Sequence, residues 1–182
     1  INSVTDNPLI IGNASVSGGN FHGAAIALAL DMLAIALTQV AGISERRTFR
    51  LLDTRLSNLP AFLTRDAGAN SGMMIAQLLV ASLLTDCRIL STPASVQSVP
   101  TSAGQEDFVS MGMNSVLKAR RIVGLLKTIL SVELMCAAQG LELAGRSIPV
   151  GLTKALRLVR KAIPPLGRDR ELHRDISRIE TI

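Results

Sequence analysis

The chain has 182 residues, a net charge of +5, four Phe, no Tyr and no Trp. Its length suits one domain, and a core made of Leu, Ile, Val, Ala and Met favours helices packed on helices over a β-sandwich. From residue 146 onward there are nine Lys and Arg against four Asp and Glu, with no aromatic residue between them. That composition gives no support for base stacking, and we expect a solvated helical face that pairs with acidic neighbours rather than with nucleic acid or a membrane.

The first half of the chain is predicted to alternate between loops and helices. Residues 1–20 are rich in Asn, Ser and Gly and are predicted to form a loop. A long helix is predicted from Phe21 to about Arg55, then a loop over 54–72 and a second helix from Met73 to Leu90. A second long loop follows over 91–106, and its position between strongly helical segments favours a shaped, functional loop over disorder.

The stretch from Ala24 to Val40 is apolar enough to raise the question of a membrane span. Asp31 near its middle, and the charged residues from Glu45 onward with no break in helical character, argue against that alternative. A helix that is apolar all round is also typical of the centre of a large bundle. We therefore expect a bundle helix.

A third helix is predicted from about Asp107 to Gly140, which is roughly 45–50 Å at 1.5 Å per residue. Such a helix is too long for a compact globule of this size and suits a bundle shared with other subunits or with further chain. Two shorter helices are predicted at about 150–162 and 170–180. This divides the chain into a central bundle over 21–140 and short C-terminal helices over 148–182.

Cys87 and Cys136 lie in apolar runs outside any CxxC or His-rich cluster. They predict buried free thiols, no metal site and a cytoplasmic protein. No basic segment precedes an apolar stretch near Ile1, so a signal peptide is not predicted. Because the chain starts with neither an initiator Met nor a helix-start signal, we expect it to be cut from something longer.

Three polar segments adjoin the apolar helices at 5–9 (TDNPL), 17–23 (SGGNFHG) and 100–107 (PTSAGQED). Local structure explains each of them: a proline turn, a helix cap by Asn20, and two carboxylates at the N-terminus of the third helix. The functional alternative for the third segment is a carboxylate that projects from a loop–helix junction into a site.

In this order, and together with the runs SERR (44–47), GANSGMMIAQ (68–77), PAS (93–95) and QGL (139–141), these segments resemble the histidine and phenylalanine ammonia-lyase family. The resemblance covers essentially the whole chain. It implies an all-α, long-helix bundle of the fumarase/aspartase-like architecture, assembled as a homotetramer whose active sites take residues from more than one subunit. It also implies an electrophile, 4-methylidene-imidazol-5-one, formed from an internal Ala-Ser-Gly.

The chain contains no Ala-Ser-Gly and none of the family's catalytic tyrosines. Residues 1–182 are therefore expected to be the C-terminal part of such an enzyme, inactive alone and dependent on a missing N-terminal part. The resemblance assigns catalytic roles to Asn7 and Glu106, and substrate binding to Phe21, Met74 and Gln105. It places Phe21 beside the electrophile and Met74 in the pocket for the substrate ring, although an ordinary core Met explains Met74 equally well.

Glu106 favours histidine as the substrate, because a carboxylate can pair with an imidazole, whereas phenylalanine lyases have glutamine there. Phe108 departs from the family pattern, since histidases usually have His at that position. The alternatives are a tyrosine or phenylalanine ammonia-lyase, a 2,3-aminomutase of the same fold, and a non-catalytic helical assembly module. Glu133, on an apolar helix face, is predicted to pair with an arginine of another helix rather than to act as a base.

Overall fold

Three long helices dominate the computed structural model, which describes residues 2–182. The helices are α1 (Ala24–Leu52), α2 (Thr54–Ser57), α3 (Met74–Leu90), α4 (Gly112–Leu143), α5 (Val150–Ala162) and α6 (Leu172–Ile179). A small antiparallel hairpin of two three-residue strands, β1 (Leu9–Ile11) and β2 (Ala14–Val16), precedes them. The predicted all-α class is confirmed. The predicted loop over 1–20 contains this hairpin, which stays largely exposed and adds little to the core.

Helices α1 and α4 run parallel to each other. Asp31 pairs with Lys118 in the first half of both helices, and Arg47 pairs with Glu133 in the second half. The 2.6 Å contact between Nε of Arg47 and Oε1 of Glu133 confirms the ion pair with another helix that the sequence predicts for Glu133.

Helix α3 runs antiparallel to α1. The hydroxyl of Thr38, in the middle of α1, donates to the carbonyl of Cys87 near the end of α3. At the other end of the pair, Gln77 in the first turn of α3 lies in the same cleft as Leu52, the last residue of α1. The start of α3 is therefore one helix length away from the start of α1.

The core lies between these three helices and is built from narrow stripes. Most buried positions of α1 recur every three or four residues and carry Ala, Ser or Thr, and these small side chains let the helices approach closely. Opposite them α4 contributes larger residues, including Ile122 and Ile129. Both cysteines are buried and free, as predicted. Outside this stripe, α1 also exposes large apolar side chains, at Ile26, Leu28, Met32, Leu33, Ile35, Val40 and Ile43.

Two stretches, Asn20–Leu52 and Gly112–Leu143, are long and apolar enough to cross a membrane. In α1, however, Asp31 is only 2% exposed and is paired with a lysine of the neighbouring helix. A carboxylate buried in this way belongs to a packed interface between helices. We therefore interpret both stretches as bundle helices.

Two helix starts differ from the prediction. Helix α1 begins after Gly23, whose φ of 70° is left-handed, and Asn20 does not cap it, because the Asn20 side chain donates to the carbonyl of Val4 instead. Helix α4 begins at Gly112 rather than near Asp107, because Met111 adopts a left-handed φ of 51°. The prediction that two carboxylates stand at the N-terminus of this helix is therefore wrong.

The short C-terminal helices fall where they were predicted and pack on the end of α4. The side chain of Gln139 bonds to both the amide and the carbonyl of Leu166. Three arginines of this basic region form ion pairs, with Arg160 bound to Glu142, Arg170 to Asp175 and Arg174 to Glu171.

Candidate functional site

The first two polar segments are tied together at the N-terminal end of α1. The side-chain oxygen of Asn7 accepts a hydrogen bond of 2.8 Å from the amide of Gly18. The side-chain amide of Asn20 donates to the carbonyl of Val4 at 3.2 Å. These two contacts hold the segment that contains Asn7 against the glycine-rich segment that leads to Phe21.

His22 joins this pair to the third polar segment. Its Nε2 lies 2.8 Å from the carbonyl oxygen of Phe108, and the two rings stack with centroids 5.3 Å apart and planes 7° from parallel. Asn7, Phe21, Gln105 and Glu106 are thus carried by segments that meet at one end of the bundle. Sequence reasoning missed His22, and its only signal was its place directly after Phe21.

The loop over 91–111 is anchored to the bundle through Asp31 of α1. The Asp31 carboxylate accepts a 2.7 Å hydrogen bond from the amide of Ser95 and lies 3.4 Å from Nζ of Lys118, which also donates to the carbonyl of Thr92. Burial acts to raise the pKa of Asp31, but the Ser95 amide and the Lys118 ammonium outweigh it and hold the pKa below its ordinary value. The charged Asp31 side chain therefore fixes the first part of the loop to α1.

The tip of the same loop presents Glu106. Thr101 and Glu106 face each other across a backbone bridge, and the Thr101 hydroxyl donates to Oε2 of Glu106 at 2.8 Å. Ser102, Ala103 and Gly104 all adopt left-handed φ angles, which closes the tip into a tight turn. The shaped loop expected from the sequence is what the structure contains. Glu106 is exposed, with one carboxylate oxygen held by Thr101 and the other available to accept a hydrogen bond.

The candidate site residues at this end of the bundle are exposed to solvent in a single chain. Phe21 is 59% exposed, and Asn7 and Gln105 are exposed as well. Because the Asn7 oxygen is engaged by Gly18, its amide N–H groups are the part free to act as donors. An aromatic face, an amide donor and a carboxylate can together bind a small molecule that has both an apolar ring and polar groups.

Met74 does not lie with the other predicted site residues. It is the first residue of α3, next to the C-terminal end of α1, whereas Phe21 precedes the N-terminal end of α1. Helix α1 has 29 residues, so the two positions are separated by about 40 Å at 1.5 Å per residue. A single copy of the chain cannot bring Met74 into contact with Phe21 or Glu106.

A cavity of about 720 Å³ lies near the C-terminal ends of α1 and α4 and contains none of the predicted site residues. Its walls are mostly apolar, with Arg50 and Arg146 among the lining residues. Across residues 2–182, no group of three or more His, Cys, Asp and Glu side chains is arranged to hold a metal ion.

Comparison with known proteins gives consistent matches. The profile of the family described as aromatic amino acid lyase matches residues 1–163. The chain is 49% identical over 185 residues to a histidine ammonia-lyase of Myxococcus xanthus (strain DK1622), in a match that covers 100% of this chain and 36% of the relative.

Solved structures agree. Histidine ammonia-lyase from Trypanosoma cruzi matches with a TM-score of 0.93 and 44% identity, over 97% of this chain and 36% of that chain. Tyrosine aminomutase from Streptomyces globisporus matches with a TM-score of 0.92 and 39% identity, over 97% of this chain and 34% of that chain. The present chain thus spans about a third of the length of these relatives.

Proposed function

The chain belongs to the aromatic amino acid lyase family, and on that premise we propose that it is the C-terminal portion of a histidine ammonia-lyase. Such an enzyme eliminates ammonia from histidine without oxidation and leaves an α,β-unsaturated acid. The observation that carries this proposal is Glu106, a carboxylate on a hydrogen-bonded loop that also contacts the segment of Phe21 and Asn7.

Glu106 is the residue to which we assign substrate choice. Thr101 holds one of its carboxylate oxygens, so the other can accept an N–H of an imidazole ring. A phenyl ring offers no such donor and would leave the carboxylate unpaired as the site closes. Gln105 stands beside it on the same exposed tip and contributes a side-chain amide to substrate binding.

The residues present are compatible with a cofactor supplied from outside this chain. Phe21 offers an exposed aromatic face, and Asn7 offers amide donors held in place through Gly18. When bound, 4-methylidene-imidazol-5-one supplies an electrophilic carbon that withdraws electrons from the amino acid. The Ala-Ser-Gly from which it forms is absent from the 182 residues, so we place it in the N-terminal part of the enzyme. In this proposal Phe21 and Asn7 orient the reacting groups and exclude water around them.

The position of Met74 supports a site built by more than one subunit. Met74 and Glu106 lie at opposite ends of the bundle, so both can line one ring pocket only if they come from different copies. The exposed apolar side chains of α1 give such copies a surface to bury, since large exposed apolar patches mark interaction sites. We propose a homotetramer that includes the N-terminal part, acts on a free amino acid in the cytoplasm and involves neither nucleic acid nor membrane.

The test uses the complete enzyme that contains this chain. Purified protein is incubated with histidine, tyrosine or phenylalanine, and both the absorbance of a new conjugated acid and free ammonia are measured. We expect turnover of histidine. Glu106→Gln keeps the shape and the acceptor for Thr101 but removes the charge, so kcat/KM for histidine should fall about 10- to 100-fold, equivalent to a lost charged hydrogen bond.

Asp107→Asn is the matched control, because Asp107 is the neighbouring exposed carboxylate. It should leave kcat/KM within about twofold of the wild type. An equal loss in both variants would contradict the assignment of Glu106. A fully assembled enzyme that turns over none of the three amino acids would refute the lyase proposal and favour a non-catalytic assembly module.

A second candidate is a 2,3-aminomutase, which the match to the tyrosine aminomutase structure favours. An aminomutase would return the amine to the β-carbon. Chromatography of the products separates the two candidates, because the mutase yields a β-amino acid in place of free ammonia. Phe108, at the place where histidases usually have His, is the residue that keeps tyrosine and phenylalanine among the substrates to be tested.

A further inference from the structure

The segment between α5 and α6 reaches back across the molecule to the loop that precedes α3. Oδ2 of Asp169 accepts a 2.7 Å hydrogen bond from the amide of Ser71, and Oδ1 accepts a 2.9 Å hydrogen bond from the amide of Gly72. The amide of Asp169 in turn donates to the side-chain oxygen of Asn70 at 3.1 Å. One carboxylate thus binds two consecutive amides almost a hundred positions earlier in the chain.

The loop that Asp169 holds has a demanding geometry and leads directly into Met74. Gly72 has a left-handed φ of 59°, and a Cβ at this position would lie only 2.4 Å from the carbonyl oxygen of Phe62. That same carbonyl accepts a 2.9 Å hydrogen bond from the amide of Met73. Within residues 2–182, the N-terminus of α3 has no side-chain cap on its N-cap residue. The Asp169 carboxylate binds the amides of Ser71 and Gly72 just before the first turn of α3, where the helix dipole favours negative charge.

Asp169 is itself held in place from both sides. Before it, Gln139 of α4 bonds to the amide and the carbonyl of Leu166 at 3.0 Å each. After it, Arg170 donates to Asp175 at 2.7 Å and to two backbone carbonyls of the same segment. These contacts join α4, α6 and this segment, so the backbone on both sides of the exposed Asp169 is held in place.

We propose that Asp169 is a positioning residue for substrate recognition, which fixes the loop over 68–73 and thereby the place of Met74. The inference rests on the proposed function, in which Met74 lines the pocket for the substrate ring. Asp169 touches no substrate and acts through the backbone of Ser71 and Gly72. It lies beyond residue 163, where the match to the family profile ends.

The first test is Asp169→Asn in the complete enzyme. Asn has nearly the size of Asp but only one acceptor oxygen, so it cannot bind both amides, and it lacks the charge. Because a ring-pocket contact acts in the ground state and the transition state alike, KM for histidine should rise about tenfold while kcat stays within about twofold. A purely structural role would instead lower the amount of active enzyme, and hence the apparent kcat, with KM unchanged.

Glu171→Gln is the matched control. Glu171 is a carboxylate two residues away, and among the described residues its side chain forms only an exposed ion pair with Arg174. This variant should keep the wild-type KM. Asp169→Glu retains the charge and both acceptor oxygens and should recover at least part of the lost affinity. An unchanged KM in Asp169→Asn, or an equal rise in Glu171→Gln, would overturn the proposal.

A double-mutant cycle tests whether Asp169 acts through Met74. Met74→Ala removes the side chain that the loop positions, so adding Asp169→Asn to this background should raise KM by less than about twofold. Independent residues would show effects on KM that multiply. A full tenfold rise in the Met74→Ala background would show that Asp169 does not act through Met74.

Hydrogen exchange gives a readout that does not depend on activity. In the wild-type enzyme the amides of Ser71 and Gly72 should exchange slowly, and in Asp169→Asn they should exchange at least tenfold faster. Fast exchange of these amides in the wild type would refute the clamp even if the variant failed to fold. If the wild-type enzyme did not turn over histidine, the proposed function would fail, and the exchange rates would still decide whether Asp169 holds the loop.

Discussion

Replacing Asp31 with Asn should loosen the junction between α1, α4 and the loop that carries Glu106. The Asp31 carboxylate binds both the Lys118 ammonium of α4 and the Ser95 amide of that loop. In the part of the chain that the structure describes, no other side chain joins a charge of α4 to an amide of the loop. Asn has the same shape and keeps one acceptor oxygen. The substitution therefore removes the charge without creating a cavity.

The size of the effect follows from burial. The Asp31 side chain is 2% exposed, and a charged hydrogen bond in such a place contributes about 1.5–3 kcal/mol. Removing one partner of a fully buried pair costs about 3–5 kcal/mol. The Lys118 side chain, however, is 20% exposed and still donates a hydrogen bond to the carbonyl of Thr92. Its charge is therefore not left buried without a partner. We expect a loss of about 2 kcal/mol in the free energy of unfolding per chain.

The assay is urea denaturation of the complete enzyme at pH 7, followed by far-ultraviolet circular dichroism at a fixed protomer concentration, because assembly contributes to apparent stability. Asp86→Asn on α3 is the control, since Asp86 is half-buried and forms no ion pair in the described part of the chain. It should change stability by less than about 0.5 kcal/mol. A shift for Asp31→Asn no larger than that of the control would refute the reasoning. So would strict additivity with Lys118→Met, because paired residues must show coupling.

The pH dependence follows from the lowered pKa of Asp31. The ordinary value is 3.8, and the folded-state pKa lies below it. A depressed pKa contributes stability that is fully present above the unfolded-state pKa and lost as the pH falls through the folded-state pKa. The difference between the wild type and Asp31→Asn should therefore be constant from pH 8 to about pH 5 and should shrink only in more acidic solution.

Three further predictions concern single residues. Glu133→Gln should weaken assembly or stability through loss of the pair with Arg47 while turnover per assembled enzyme is retained, and lost turnover with intact assembly would refute the structural role. Burial, with a smaller contribution from Glu133, raises the pKa of the Cys136 thiol to about 12, so alkylation at pH 8 should be slow in the folded enzyme and fast in urea. His22→Ala should remove the stack and hydrogen bond to Phe108 and lower kcat/KM about tenfold; an unchanged value would show that His22 does not position the Glu106 loop.

The helices could be predicted because their apolar periodicity is long and regular, and the predicted spans of α3 and α5 agree with the structure to within a residue. The start of α4 could not be predicted in the same way. It depends on the left-handed backbone of Met111 and on a hydrogen bond from the amide of Val109 to the hydroxyl of Ser98, eleven residues earlier. Hydrogen bonds within a loop produce no periodic pattern of apolar residues in the sequence.

The candidate site was predictable only in part for a related reason. Asn7, Phe21 and Glu106 were singled out because polar segments adjoin apolar helices, and family resemblance gave them roles. That their segments meet depends on α1 and α4 running parallel in register, so that His22 before one helix reaches Phe108 before the other. No local pattern encodes this register, which is why His22 was not singled out.

The antiparallel course of α3 has the opposite consequence for Met74. A helix that returns along α1 must begin where α1 ends, so Met74 is placed about 40 Å from Glu106 by the same packing that joins Glu106 to Phe21. If one ring pocket contains both Met74 and Glu106, two copies must meet so that the Met74 end of one bundle lies beside the Glu106 end of the other. The exposed apolar side chains of α1 run from Ile26 to Ile43, which is about 25 Å of the distance between these ends at 1.5 Å per residue. If burial of this apolar surface brings the two copies together, assembly and completion of the pocket are linked in the proposed enzyme.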